Sequence, residues 1–161
     1  MKRMLVIAVA GLMLVSPVMA QELKKVSLDD ATSIGLKIQS DATIKVEGKS
    51  SLKITTMWPT TVCLGEVSGL DIENAKLIYK AQLKTDLQGS AYLEMWVRVD
   101  GGQYFSRGLN DQLQGKSEWK AIQTPFMFKK GQKPDKVTLN VVINGTGTVW
   151  VDDIVLSKES L

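Results

Sequence analysis

Gly147-Thr148-Val149-Trp150-Val151-Asp152-Asp153-Ile154-Val155-Leu156 is the stretch whose reading decides the fold. Its valines and isoleucine suit a pleated surface that is half or fully buried. Two adjacent carboxylates sit in the middle of it, and charge inside an apolar strand is costly unless something pairs with it. Either the aspartates lie at a wet edge or they hold a cation.

Upstream the same style of sequence repeats. Short alternating runs follow one another with hardly any helical periodicity, which points to an all-β sandwich or barrel. The expected strands are Thr43–Glu47, Ser51–Met57, Thr61–Val67, Ala75–Thr85, Ala91–Val99, Gln103–Leu109, Trp119–Phe128, Lys136–Asn144 and Thr148–Ser157. Clusters such as Gly48-Lys49-Ser50, Gln88-Gly89-Ser90, Asp100-Gly101-Gly102 and Asn144-Gly145-Thr146-Gly147 separate them and read as turns. Asn144-Gly145-Thr146 also matches a glycosylation sequon, which a hairpin turn explains equally. One helix is expected, Leu28–Leu36, opened by Asp29 and Asp30. In 91–100 the odd positions Ala91, Leu93, Met95, Val97 and Val99 are wholly apolar. The even positions are Tyr92, Glu94, Trp96, Arg98 and Asp100. Val137, Leu139, Val141 and Ile143 make a second apolar face, and Leu77, Tyr79, Ala81 and Leu83 a third. Such period-2 patterning implies antiparallel sheets with one face on a shared core.

The first twenty residues read as an address. Lys2 and Arg3 form a basic start, Met4–Val15 an apolar stretch, and Val18-Met19-Ala20 a cleavage site. This predicts a signal peptide over 1–20, a single domain over 21–161, and a secreted or periplasmic location. Losing Lys2 and Arg3 lowers the formal charge from +3 to +1, so nothing argues for nucleic acid or anionic lipid as partner. Cys63 is the only cysteine, which excludes an internal disulfide; it reads as a small buried hydrophobe. The chain has no histidine, which removes the commonest general base and the usual transition-metal ligand.

Gly48-Lys49-Ser50-Ser51-Leu52-Lys53-Ile54 resembles the opening of galactose-binding-like jelly rolls of the carbohydrate-binding-module type. Glu66-Val67-Ser68-Gly69-Leu70, Trp119 before an alternating strand, and the closing stretch around Asp152 follow in the order those domains show. The resemblance covers about 40–157. It implies an antiparallel β-sandwich with jelly-roll topology, often with a structural calcium ion held by an aspartate of the final strand. It also implies carbohydrate as the ligand, although other members bind protein.

Calcium takes six to eight oxygen ligands. Successive strand residues face opposite ways, so Asp152 and Asp153 cannot serve one ion without a bulge. The resemblance favours Asp152 as ligand, with Glu47 and nearby carbonyls completing the set. The other arrangement has Asp152 capping backbone amides. For the ligand, sugar rings present apolar faces that stack on Trp and Tyr, while their hydroxyls seek charged partners. Tyr92, Glu94, Trp96 and Arg98 supply both, with Tyr104 and Arg107 beyond the Gly101-Gly102 turn. The same residues would also serve packing, with Glu94 pairing across strands. Trp58, before Pro59, is read as packing at a strand end, and Trp119 and Trp150 as core or edge packing. No carboxylate pair stands out for glycoside hydrolysis. The expected function is therefore a non-catalytic carbohydrate-binding module, the alternative an envelope accessory protein that meets another protein through the same face.

Overall fold

The alternation seen in the sequence forms strands, and the strand pairings are all antiparallel. The computed structural model describes residues 21–26 and 37–161. In chain order the strands are β1 (Gln21–Val26), β2 (Lys37–Asp41), β3 (Ser51–Thr56), β4 (Thr60–Ser68), β5 (Ala75–Val99), β6 (Gly102–Arg107), β7 (Leu113–Phe128) and β8 (Pro134–Ser160). A 3-10 turn occupies Leu109–Asp111. The expected signal peptide and helix, at 1–20 and 28–36, lie outside the described residues. No helix among the described residues is long and apolar enough to cross a membrane.

β5 and β8 are the spine, paired along their whole length from Ala75–Ser160 to Val99–Pro134. Four strands had been expected where these two run. The separating clusters are not hairpins but a shared bend, where Gly89 faces Gly145. Both glycines have positive φ, 137° and 149°. A Cβ on Gly89 would stand 2.0 Å from the Asn144 carbonyl oxygen, and one on Gly145 2.1 Å from that of Gln88. Only glycine lets the two backbones cross the bend this closely.

The bend doubles the ladder over on itself, making two layers from one hydrogen-bonded sheet. One layer joins β1, β3, β5 and β7 to the C-terminal half of β8, with β2 beyond β3. The other runs β4, β8, β5, β6. Leu77, Tyr79 and Leu83 from one side of the bend and Leu93, Met95 and Val97 from the other belong to one core. The architecture is the all-β antiparallel sandwich that the alternation allows and the resemblance to jelly-roll domains implies.

Two local expectations fail for physical reasons. Residues 43–47 form no strand. Asp41 instead accepts hydrogen bonds from the Thr43 and Ile44 backbone N–H groups, each at 3.0 Å, which turns the chain out of the ladder. Cys63 is exposed, not buried. It lies opposite Asn140 at a bulge between Cys63 and Gly65, on the outer side of β4. Meanwhile β1 and β2, whose polar residues gave no apolar alternation, add two outer strands.

Candidate functional site

Strand parity decides which side chains share the outer face of the second layer. Because the odd residues of 91–99 fill the core, Tyr92, Glu94, Trp96 and Arg98 all point the other way. The β5–β6 hairpin then sets what stands beside each. Glu94 lies between Arg107 of β6 and Asn140 of β8, Trp96 between Phe105 and Thr138, and Arg98 between Gln103 and Lys136.

Glu94 is 4% exposed, an unusual depth for a carboxylate, and its surroundings compensate for it. Its Oε1 accepts a hydrogen bond from Trp96 Nε1 at 2.7 Å and one from Asn140 Nδ2 at 3.3 Å. Its Oε2 accepts one from Arg107 Nε at 2.6 Å. This bond raises the Arg107 guanidinium still further above its ordinary value. Arg107 also lies over the Phe105 ring, 4.6 Å from its centroid. Phe105 in turn leans on Trp96, with centroids 5.2 Å apart and planes tilted by 51°. The outcome is a tilted aromatic pair whose indole N–H is turned inward and whose outer ring, Phe105, is 52% exposed. Apolar ring faces backed by a rigid polar network suit the stacking of a flat, partly apolar ligand.

The structure thus brings five of the six expected ligand residues onto one face: Tyr92, Glu94, Trp96, Arg98 and Arg107. Tyr92 is buried at the foot of that face and Arg98 is exposed on it. Tyr104 does not join them. It pairs with core-facing Val97, so its side chain leaves β6 on the opposite side, where its ring lies against Gly102. Phe105 takes the place intended for it. Its signal in the sequence was its position in the same tetrapeptide, one residue out of phase. Farther along the face, Lys136 Nζ donates to Glu66 Oε1 at 2.6 Å and holds that carboxyl below the usual range. An open hollow of about 570 Å³ beside the bend is lined by Gly89, Ser90, Gln114, Gly115 and Asn144, without a charged group.

The Asp152–Asp153 pair lies at the other layer. The ladder shifts register between Lys80 and Gln82, and Asp153 has φ 48°, so a bulge sits at this point. Both carboxylates thereby leave the core side: Val149 and Val151 are buried before them, Ile154 and Leu156 after. Asp152 Oδ2 accepts from the Val46 and Glu47 backbone N–H groups at 2.7 and 3.1 Å, and Oδ1 from that of Asp153 at 2.8 Å. Lys25 of β1 hydrogen-bonds Glu47 and pairs with Asp153 Oδ1 at 3.1 Å, and these bonds, first that to Glu47, raise its pKa. Among the described residues no group of three or more Asp, Glu, His or Cys forms a metal-sized cluster. Backbone amides and the Lys25 ammonium thus occupy the carboxylate oxygens of this corner.

No family model and no curated protein matches the chain. Solved structures do. The CBM22-1 xylan-binding domain of Paenibacillus barcinonensis Xyn10C superposes with a TM-score of 0.59 at 14% identity, covering 91% of this chain and 99% of that one. The CBM22-1-GH10 modules of Clostridium thermocellum endo-1,4-beta-D-xylanase 10B, complexed with xylohexaose, give 0.62 at 11% identity. They cover 86% of this chain and 28% of that longer one. A family 16 carbohydrate-binding module gives 0.57 at 12% identity, over 80% of this chain and 91% of that one. At these identities the likeness is one of fold: the chain has the antiparallel β-sandwich of carbohydrate-binding-module-type domains.

Proposed function

We propose that this protein is a secreted or periplasmic, non-catalytic carbohydrate-binding module. Its ligand lies on the outer face of β5 and β6, on Trp96 and Phe105, flanked by Arg98 and Arg107. The observation that carries this reading is the Trp96–Phe105 pair. A large aromatic surface stands on the outer face of a sandwich whose core is already complete, and an internal carboxylate network holds it in place. Glu94 supports the non-catalytic reading. Buried and hydrogen-bonded by three donors, it is not free to act as a general acid or base on a bound sugar. The secreted or periplasmic location rests on the basic and apolar start of the sequence. The calcium expected at Asp152 and Glu47 has no part in the proposed binding.

Screening the wild type and Trp96→Ala against immobilised plant and bacterial glycans tests the proposal. Retention of the wild type on at least one glycan, lost in the variant, is expected. Identical, featureless behaviour of both proteins on every glycan would remove it.

The alternative, an envelope accessory protein docking through the same face, draws support from β6. It is an outer strand with Tyr104 and Phe105 both half exposed, one on each side. A single stoichiometric protein partner, recovered by wild type but not by Phe105→Ala, would favour it over the glycan.

A further inference from the structure

Resting on the glycan reading, the charges of the same face narrow the class of glycan. Two carboxylates lie on this face among the named groups, and each is paired with a cation of the same face. Glu94 is buried under Trp96, Arg107 and Asn140. Glu66 takes its proton donors from Lys136 at 2.6 Å and Thr138 at 3.3 Å. Glu94 has no oxygen free to receive hydroxyls from a neutral sugar, and the charge of Glu66, whose Oε2 stays open, is answered by Lys136.

The cations are in the opposite situation. Arg107 uses Nε for Glu94, and its guanidinium spreads over Phe105 with 42% of the side chain exposed. Among the described residues its two terminal amino groups make no hydrogen bond to a carboxylate. Arg98 is exposed and, among the described residues, has no carboxylate partner. Register places the two arginines on opposite sides of Trp96, with the Arg107 guanidinium drawn over Phe105. Arg107 stands opposite Glu94, one alternation before Trp96, and Arg98 one alternation after it. Residues two apart on a strand are separated by about 7 Å. A sugar stacked on Trp96 and Phe105 therefore has a guanidinium within reach at either end. A guanidinium is donor-only, and its planar fork matches a carboxylate through two parallel hydrogen bonds.

We infer that the glycan this face takes is acidic: a polymer bearing uronic-acid carboxylates, one sugar stacked on Trp96 and Phe105 and a carboxylate received by Arg98, with Arg107 able to receive the next.

Glucuronoxylan and its carboxyl-reduced form, which share a backbone and differ only in the acid groups, provide the test. Affinity electrophoresis is run on both polymers with wild type, Arg98→Gln and, as control, Lys116→Gln on β7 in the other layer. The wild type is expected to bind the acidic polymer about tenfold more tightly than the reduced one, the scale of one charged hydrogen-bonded contact. Arg98→Gln should bring the two affinities together while keeping the wild-type melting temperature, and Lys116→Gln should behave as wild type. Equal affinity of wild type for both polymers would overturn the inference and leave the carbohydrate reading standing. So would equal weakening by Lys116→Gln, which would mark mere ion exchange. Binding of neither polymer, nor of polygalacturonate, would overturn the inference; failure on every neutral glycan as well would remove the carbohydrate reading beneath it.

Discussion

Glu94 shows what a single residue does when its surroundings change its meaning. Alternation places it beside Trp96 on a polar face, and a carboxylate there reads as a partner for ligand hydroxyls. The fold turns it into the fixing point of the face, holding the indole N–H of Trp96 and the Nε of Arg107. Pairing of Glu94 across strands was one of the two readings the sequence left open, and the choice between them rested on partners 13 and 46 residues away, on two different strands. Glu94→Gln keeps the shape but removes the charge and faces the indole and Asn140 donors with an amide. It should cost about 1–3 kcal/mol in urea unfolding and weaken glycan binding. An unchanged unfolding midpoint would show that the network contributes nothing. Phe105 gives the complementary case: the aromatic dipeptide was visible, but which ring joins Trp96 depends on the Asp100-Gly101 turn setting Trp96 opposite Phe105.

At the scale of elements, the strands with one apolar face were legible and the bend was not. Leu77 through Leu83 and Leu93 through Val99 keep one parity across Gly89, so the core face is continuous although the strand appears broken. A glycine pair between two alternating runs fits a hairpin as well as a bend, and only the partner strand distinguishes them. Gly145→Ala measures the bend directly. With φ at 149° and a Cβ 2.1 Å from the Gln88 carbonyl oxygen, it should destabilise by about 2–3 kcal/mol, read as a lower unfolding midpoint. Wild-type stability would mean the strands part easily there. The Asp152 bulge is the second element-scale lesson. Asp152 joins the final strand to the 42–50 segment through backbone amides, and Lys25 brings the β1 ammonium to Glu47 and Asp153. Thermal unfolding should therefore be insensitive both to saturating calcium and to chelator. An upward shift with calcium would show that the ion displaces Lys25 and binds.

The whole molecule has a simple electrostatic profile. No histidine is present, so no side chain of ordinary pKa changes charge between about pH 5 and 8. The carboxyls that the fold perturbs are lowered: Asp41 by the Ile44 amide and then Trp150, Glu66 by Lys136, Asp71 by Lys133 and Glu118 by Lys84. A depressed carboxyl contributes stability above its ordinary value, and that contribution is lost as pH falls through its folded value. The melting temperature should stay level from about pH 5 to 8 and decline below about pH 4. A maximum near pH 6.5 flanked by losses would contradict this. The most direct test of the central claim is calorimetric titration of soluble glucuronoxylan fragments into wild type and Trp96→Ala, both checked for the same melting temperature. Saturable binding by the wild type, abolished in Trp96→Ala, is the predicted result; binding of equal strength in the two proteins would contradict it.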